Sequence, residues 1–466
     1  MSVIDRRQFF IADFPFQRDD FKHIELKCGK IISYHKDLKV QIAGDNVLIG
    51  YAYRVDKVAE IDIASVKYTD RRNISGRFVL ITDNLMYMDA CGTLGLCYGF
   101  DKALHICVSS SLHLMKEALN CELISNYKVS YGDGNGILDY YPIPYTPLDG
   151  IWKLLPSQYI DLSNSRILQL DDYFSRRYKD KPLEWLQNRF TDEFVTLLKN
   201  IEREFGTEIW LPLTAGVDSR TILALLLKSG VQFSAYTSLR DNTKPNDRKI
   251  PLRLCKKIKV PHFYFDERGH SVKEREKIFD VHSSGFIVGT ERKQYLTGVD
   301  VPIERKAIVL WGTVWAGYIK PYQKIFLQNE DAESCLEQIN AVSGGILDRS
   351  NIHRLSLHTW LTNVFNHPIP DIDWRERMYI EQRNGAWVSG AMQAIDLFDS
   401  VRVAPVNSQE LLEILLSADV APGDKGFQKK IISDCCLKIG KMPYGGEHKR
   451  IVRRIARKIV RLRGIK

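Results

Sequence analysis

The stretch "LPLTAGVDSRTILALLLKSG", Leu211–Gly230, changes character in its middle. An apolar run that ends at Leu213 has the composition of a buried strand, and the leucine-rich segment from Thr221 has the spacing of a helix. Between them, residues 214–219 are small or carry hydroxyl groups, except for one carboxylate, Asp218. The pattern therefore predicts a strand, a tight turn and a helix.

A turn of this kind directs backbone N–H groups and a helix N-terminus to the carboxyl edge of a sheet, where phosphates bind. Thr214 and Ser219 would add hydroxyl donors, and Asp218 would hold a Mg²⁺ ion rather than touch a phosphate itself. The same Asp and Ser residues also suit plain helix capping. The local residues leave both interpretations open.

The segments around this stretch alternate between strand-like and helical patterns. Apolar residues recur at helical spacing over Trp185–Phe205, and "QFSAYTS", a helical pattern near Lys249–Ile258, "HFYFD" and "AIVLWGT" follow. Such alternation predicts a parallel sheet with crossover helices. Residues 1 to about 175 instead hold short runs rich in Val, Ile, Tyr and Phe, which predict strands and hairpins. Beyond about residue 330 the chain is predicted to be mainly helical.

Composition indicates a globular chain of two or three domains, since 466 residues exceed one ordinary core and 44% of them are hydrophobic. The N-terminal "MSVIDRRQFFIADFPF" has charges where a signal peptide needs an apolar core. The nine cysteines include no CxxC pair, which is typical of buried thiols in a reducing compartment. We therefore expect a cytoplasmic protein.

The net charge of +9 is concentrated in the last 18 residues, Lys449 to Lys466, which contain nine Lys or Arg and no acid. Removing these nine from the 66 Lys and Arg leaves 57, against 57 Asp and Glu, so the body is neutral and nucleic acid is not an expected partner. Apolar residues recur at helical spacing in this tail, which predicts a basic amphipathic helix for an anionic membrane surface. Docking on the protein's own body and RNA binding are the alternatives. Membrane binding would place the protein peripherally at the inner face of the membrane.

Five stretches, in order along the chain, resemble the asparagine synthetase family. "LTAGVDSR" resembles the pyrophosphate-binding loop Ser-Gly-Gly-x-Asp-Ser of ATP pyrophosphatases, in the form seen in that family. Asp89–Tyr98 is similar to the family's "D-x-x-G-x-x-P-L-Y-Y", and Pro144–Leu162 is similar to its interdomain segment. Ser400–Ser417 resembles "E-V-R-V-P-F-L-D" and the helix after it, and Asp424-Lys425-Gly426 with "KKIISDCC" resembles the following lysine-bearing helix.

The resemblance implies an α/β fold of two domains, and the charge pattern adds the basic tail as a third part. Residues 1–175 would form an amidotransferase-like (Ntn-type) β-sandwich domain. Residues 183–448 would form an ATP-pyrophosphatase domain with a parallel sheet and a mainly helical C-terminal part. Residues 449–466 would be the basic tail.

The resemblance also implies an activity: an ATP-dependent carboxylate–amine ligase that adenylates a carboxylate and forms an amide, releasing AMP and pyrophosphate. Its cofactors would be ATP and Mg²⁺, with the metal on Asp218, and Lys425 would be catalytic. By position, the residues implied to bind ATP or pyrophosphate are Leu213, Thr214, Gly216, Val217, Asp218, Ser219, Trp311 and Gly312.

Three departures from the family pattern qualify this expectation. Ser2 follows Met1 where the family's glutaminase carries its nucleophilic cysteine, so the first domain is expected to lack glutaminase activity, as in the β-lactam synthetase and lasso-peptide cyclase branches. No Asp or Glu occurs from Arg305 to Asn329, where the family has its second metal-binding carboxylate. Ala215 replaces a loop glycine, which is tolerable only outside the left-handed conformation.

Two functional classes therefore remain. The first is a ligase of specialised peptide or surface-polysaccharide biosynthesis, whose carboxylate substrate and amine donor the sequence does not identify. The second is a non-catalytic nucleotide-binding or membrane-associated scaffold derived from the family. Further candidates for chemistry in the second domain are Tyr318, Tyr379, Glu381, Arg402 and Lys449.

Overall fold

The computed structural model describes residues 4–125, 127, 138, 140–241, 243–269, 271–284, 291–302 and 306–445. Two sequence-based predictions fall outside these ranges. They concern Ser2 and the basic tail 449–466, which includes Lys449.

Two six-stranded antiparallel sheets occupy the first part of the chain. One has the strand order β10-β8-β9-β1-β3-β2 and the other β12-β11-β7-β6-β5-β4. The strands are β1 Phe9–Ala12, β2 Phe21–Glu25, β3 Ile31–His35, β4 Val40–Ala43, β5 Asn46–Arg54, β6 Ile74–Thr82, β7 Leu85–Met88, β8 Cys97–Phe100, β9 Ile106–Ser109, β10 Trp152–Lys153, β11 Gln158–Asp161 and β12 Arg166–Gln169.

Alternate apolar residues on these strands form one shared core. In β5 and β6 the pairs Val47↔Ile81 and Ile49↔Val79 face each other across the ladder and are buried. Residues of β1 and β9 from the other sheet belong to the same cluster, among them Ile11. A period of two places every second side chain on one face, so each sheet buries its apolar face against the other.

The second part of the chain contains a five-stranded parallel sheet of order β15-β14-β13-β16-β17. The sequence-based prediction of a parallel sheet with crossover helices is confirmed. Four of its strands are buried or partly buried on both faces, as crossover helices require, while the edge strand β15 is largely exposed. They are β13 Ile209–Pro212, β14 Ser234–Leu239, β15 His262–Asp266, β16 Ile308–Leu310 and β17 Val401–Val403.

The helices follow the predicted division, with a mainly helical segment after residue 330. They are α1 Leu112–Leu119, α2 Leu183–Phe205, α3 Asp218–Ser229, α4 Pro245–Ile258, α5 Lys273–Ser283, α6 Glu291–Thr297, α7 Ala332–Val342, α8 Asn351–Asn366, α9 Trp374–Arg377, α10 Ser389–Ile395, α11 Gln409–Ser417, α12 Gly426–Cys435 and α13 Leu437–Gly440. A π-helical segment, Met378–Val388, joins α9 to α10. Among the described residues, no helix combines the length and the apolar character needed to cross a membrane. All nine cysteines lie in the described ranges and are free thiols; five are buried, as predicted, and the other four are partly buried.

A polar network joins the antiparallel sheets to the helical part. The Asn407 amide donates to the Gly76 carbonyl at 2.7 Å and to an Asp89 carboxylate oxygen at 2.8 Å, and its own oxygen accepts from the Cys91 N–H at 3.1 Å. Arg77 donates to Asp396 at 2.8 Å, and both residues are buried. Because every polar group of Asn407 is satisfied, this contact fixes the two parts in one orientation.

Glu193 lies in the contact between helices α2 and α11 and keeps its carboxyl group protonated at neutral pH. Glu193 of α2 is 3% exposed, and burial, together with the charge of Glu410 on α11, raises the pKa of Glu193 to about 8. Arg189 contacts Glu193 at 2.5 Å and offsets only part of this effect. An unfolded chain releases this proton near pH 4.5. The contribution of Glu193 to stability is therefore complete below pH 4.5 and is lost as the pH rises to about 8.

We expect Glu193→Gln to remove this pH dependence and to raise the free energy of unfolding at pH 8 by on the order of 2 kcal/mol. The neutral amide has no charge to desolvate near Glu410. Urea unfolding between pH 5 and pH 8 measures the effect. Glu184→Gln, at an exposed position of the same helix, is the matched control. Parallel pH profiles for wild type and Glu193→Gln would contradict the prediction.

Candidate functional site

The quoted loop lies at the carboxyl edge of the parallel sheet, as predicted. Strand β13 ends at Pro212, and the Leu213 N–H donates to the Tyr236 carbonyl of the neighbouring strand at 2.7 Å. Helix α3 begins at Asp218, three residues before the predicted start at Thr221. The earlier start arises because Thr221 donates its N–H to the Val217 carbonyl at 2.8 Å, so the first turn already includes the carboxylate. Asp218 and Ser219 are thus first-turn residues.

Side-chain oxygens hold the loop in shape. The Ser219 hydroxyl accepts from the Thr214 N–H at 3.2 Å, and the Thr214 hydroxyl accepts from the Gly216 N–H at 3.1 Å. The Ala215 N–H donates to the Asp247 carboxylate of α4 at 2.9 Å. Asp247 was not among the sequence-based candidates, because only the fold brings α4 to the loop. The loop is therefore ordered before any ligand arrives.

The N-terminus of α3 is open to an anion. Its N-cap residue, Val217, supplies no side-chain cap, so the first-turn N–H groups depend on other acceptors. Gly312, just after β16, lies against this turn, where a Cβ atom would stand 3.4 Å from the Ser219 nitrogen. A side chain at position 312 would pack against the Ser219 nitrogen, and glycine leaves this space free of side-chain atoms. The surroundings of α3 thus fit a phosphate group.

Asp218 is connected to the C-terminal helices through a glutamine. The Gln428 side-chain amide donates to Asp218 at 2.9 Å, and its oxygen accepts from the Tyr318 hydroxyl at 3.0 Å. Burial, with a smaller effect of the Asp218 charge, raises the pKa of Tyr318. Lys425 immediately precedes α12, three residues before Gln428, and is half-buried. The fold therefore brings the predicted catalytic lysine to the helix end that touches Asp218.

The alanine in the loop causes no backbone strain. Ala215 is not among the described non-glycine residues with a positive φ, so its methyl group is tolerated. The methyl group is buried and would lie 3.1 Å from a Cβ atom at Gly445. The Gly445 N–H also donates to the Ala215 carbonyl at 2.9 Å. Ala215 thus packs against Gly445, where a side chain would be crowded by the Ala215 methyl group.

A buried arginine holds this C-terminal segment on the loop. Arg220 is fully buried, and its guanidinium donates to the Met442 carbonyl at 2.8 Å and the Pro443 carbonyl at 2.9 Å. The same guanidinium lies 3.9 Å from the centre of the Tyr444 ring. Arg220 is the last residue of the quoted motif "LTAGVDSR", but its position in the sequence does not indicate this role. Residues 439–445 therefore form one face of the site.

The other predicted ligand-contacting residues divide into core and surface positions. Leu213 is 1% exposed and Val217 is 6% exposed, and the Leu213 carbonyl accepts from the Thr237 hydroxyl at 2.9 Å. These contacts favour core packing for Leu213. Thr214 and Gly216 are exposed on the loop surface.

Trp311 lies beside Trp387, an aromatic residue that was not among the sequence-based candidates. Its ring centre lies 6.4 Å from that of Trp387 in the π-helical segment. The Arg383 guanidinium stands 4.6 Å from the Trp387 ring centre and donates to the Tyr379 hydroxyl at 3.0 Å. π-Helical turns often occur at functional sites. Tyr379 itself is buried, and its ring centre lies 6.1 Å from that of Tyr322.

Two further candidates have structural roles in the described part of the chain. Glu381 is fully buried and accepts from Arg377 at 2.6 Å, from the Trp360 indole at 2.9 Å and from the Ser157 hydroxyl at 3.3 Å. Arg402 is 7% exposed and donates to Gln294 at 3.2 Å. Both oxygens of the Glu381 carboxylate are occupied, so Glu381 has no free group for an incoming amine.

The carboxylates near the loop supply only part of the ligand set that a metal ion needs. Asp218 is half-buried at the start of α3, and the Asp247 carboxylate reaches the loop from α4. With one predicted carboxylate, Mg²⁺ would take most of its oxygen ligands from phosphates and water, as it usually does. Elsewhere in the described residues, Asp13, Asp101 and His105 come within ligand distance of one another, but Lys30 already contacts Asp13 at 2.7 Å.

No protein-family model matches this chain, and no curated protein matches it either.

Proposed function

We propose that this chain is an ATP-dependent carboxylate–amine ligase of the asparagine synthetase type. One observation carries the proposal: an uncapped helix N-terminus, with Asp218 in its first turn, opens at the carboxyl edge of a parallel sheet beside Gly312. Ligands of open α/β sheets bind at this edge. The ordered resemblance from Asp89 to Lys425 supports the same proposal.

The finer fold assignment belongs to this proposal. The antiparallel sheets correspond to an amidotransferase-like (Ntn-type) β-sandwich over residues 1–175. The parallel sheet and the helices after it correspond to an ATP-pyrophosphatase domain over residues 183–448. The two-sheet core and the parallel strand order support this assignment.

In the proposed reaction, the residues of the site mainly bind the phosphate groups and neutralise their negative charge. The α3 N-terminus and the Thr214 hydroxyl bind phosphate oxygens, and Gly216 keeps the exposed loop clear of side-chain atoms. Asp218 holds Mg²⁺, which neutralises phosphate charge when bound. Lys425 stabilises the charge that develops as pyrophosphate leaves, because a cation placed at that charge lowers the barrier. Trp311 and Gly312 border the AMP part of the nucleotide.

The carboxylate substrate is activated by adenylation, and an amine then attacks it to give an amide. In this proposal the amine comes from the substrate itself or from free ammonia. The first domain then serves as a scaffold, which the fully bonded Asn407 contact fixes against the helical part.

The direct test is to incubate the full chain with ATP, Mg²⁺ and a panel of carboxylates. Formation of AMP and pyrophosphate that depends on the carboxylate is the expected result. ADP and phosphate as products, or no consumption of ATP with any member of a broad panel, would contradict the ligase proposal.

A non-catalytic nucleotide-binding scaffold is the second candidate. Two observations favour it: the segment from Arg305 to Asn329 contains no acid, and the Ala215 N–H is already bonded to Asp247. In that case the chain binds ATP, measured by calorimetry, without forming AMP.

We also propose that the tail 449–466 attaches the protein to an anionic membrane surface. Deletion of the residues after Glu447 should remove nearly all binding to vesicles of phosphatidylglycerol and phosphatidylcholine, because each cation near such a surface contributes about 1 kcal/mol. High salt should weaken binding of the full chain by screening. Vesicle co-sedimentation measures both effects. If both forms sediment alike, or neither does at low salt, the tail is better assigned to packing or to a protein partner.

A further inference from the structure

A cleft with four unopposed cations lies beside the candidate ATP loop. It has a volume of about 610 Å³ and lies between α4 and Tyr264 of β15. Its charged lining residues are all basic and all exposed: Arg248, Lys249, Arg253 and Lys256. In the part of the chain that the structure describes, no carboxylate lies within ion-pair distance of their side chains. The equal numbers of basic and acidic residues outside the tail do not reveal this local excess of positive charge.

The lining also provides apolar contacts, and one of its residues, Tyr264, belongs to the edge strand of the sheet. Leu239 and Leu252 line the cleft, and Tyr264 is 42% exposed there. Strand β15 pairs with β14 alone among the described residues, so its other edge offers unpaired backbone groups. An extended peptide binds such an edge by adding a strand, while its side chains enter neighbouring pockets. Nucleic acid would use the cations and leave the strand edge unused.

We propose that this cleft binds an extended acidic peptide. The spacing of the cations fits this ligand, because Lys249 and Arg253 are separated by about 6 Å along the α4 axis. Alternate side chains on one face of a strand are about 7 Å apart, so acidic residues at every second position meet successive cations. Asp266 on β15 contacts Arg268 at 2.6 Å, and the hydrogen bonds from Arg268, with a smaller effect of the Arg248 charge, lower its pKa, so Lys249, Arg253 and Lys256 are the cations that the peptide meets first.

The position of the cleft gives the peptide a role. Asp247 bonds to the loop at Ala215, and Arg248 follows it directly, so the cleft begins where the loop ends. A peptide in the cleft would therefore present a carboxylate near the α3 N-terminus. That the peptide is the substrate rests on the proposed ligase function. Binding of the peptide itself does not depend on it.

The test uses the full chain and fluorescence anisotropy at low salt. The probe is a fluorescein-labelled peptide of four Glu-Thr repeats, and four Gln-Thr repeats give the uncharged comparison. Arg253→Gln/Lys256→Gln removes two cleft cations, and Lys199→Gln/Lys257→Gln removes two exposed cations outside the cleft, one of them on α4 itself. The basic tail is present in every form, so its background binding cancels in the comparison.

We expect the cleft variant to bind the acidic peptide about tenfold more weakly than wild type, because two contacts to charged groups are lost. The control variant should stay within about twofold. The proposal is overturned if both variants lose affinity equally, or if the Gln-Thr peptide binds as well as the Glu-Thr peptide. An oligouridylate that binds more tightly than the peptide, and loses affinity only in the cleft variant, would assign the cleft to nucleic acid instead.

A separate titration with ATP distinguishes this cleft from the nucleotide site. ATP affinity should be unchanged in Arg253→Gln/Lys256→Gln. Equal loss of ATP and peptide affinity would place these cations in the nucleotide site and overturn the proposal. Peptide binding that persists when no AMP forms would leave the cleft intact and reject only the ligase function.

Discussion

Replacing Asp218 with Asn should lower carboxylate-dependent AMP formation by about 100-fold or more, because a neutral amide is a poor ligand for Mg²⁺ beside phosphates. The fold should be unaffected. Asp218 is half-buried at the start of α3, and Asn offers the same oxygen to the Gln428 amide, which now stands at 2.9 Å. AMP release under saturating ATP is the measurement. Asp218→Ala should lose activity to the same extent.

Asp424→Asn is the matched control for this change. Asp424 is exposed near the start of α12, and its carboxylate accepts from the Gly426 N–H at 2.8 Å, a bond that Asn retains. The control removes one negative charge from the same region without touching the loop. Equal turnover by wild type and Asp218→Asn, with the control unaffected, would reject Asp218 as the metal ligand.

Replacing Arg377 with Met should lower the free energy of unfolding by about 3–5 kcal/mol, the usual cost of leaving one partner of a buried ion pair alone. Arg377 is 1% exposed and donates to Glu381 at 2.6 Å and to the His367 carbonyl at 2.6 Å. Met fills a similar volume and supplies no charge, so the Glu381 carboxylate remains buried and uncompensated. The urea midpoint of the full chain measures the loss.

The double variant Arg377→Met/Glu381→Gln tests the reason for this loss. A neutral amide oxygen still accepts from the Trp360 indole, which now bonds to Glu381 at 2.9 Å, and the buried charge is gone. We expect it to recover at least about 1 kcal/mol relative to Arg377→Met alone. A double variant that is less stable than the single one would show that the cost does not come from the unpaired carboxylate.

Much of the fold was predictable because its elements have strong local patterns. Short runs rich in Val, Ile, Tyr and Phe predicted the strands and hairpins of the first part of the chain, and "HFYFD" matches the observed strand β15 residue for residue. The prediction for α3 placed its start three residues late. Small and hydroxyl residues suit both a turn and a first helical turn, so the local pattern does not separate the two.

The surroundings of the site were less predictable, because they come from distant parts of the chain. Asp247 reaches the loop from 32 residues away, and Gln428 reaches Asp218 from 210 residues away. Glu381 looked suitable for chemistry in the sequence, but the fold surrounds it with Arg377, Trp360 and Ser157. A titratable residue in a helical pattern carries no local mark of the partners that the tertiary structure will provide.

The sequence by itself determined the strand–turn–helix at Leu211–Gly230, the parallel and antiparallel parts, and the concentration of positive charge in the last 18 residues. These follow from the periodicity of apolar residues and from turn chemistry, which act over a few neighbours. Only the tertiary structure decided which groups meet at the α3 N-terminus, which candidate carboxylates are already paired, and that α4 presents four unopposed cations in one cleft. The pairing and desolvation of charged groups depend on distances between segments far apart in the chain. Counts of residues over the whole chain do not show such local differences.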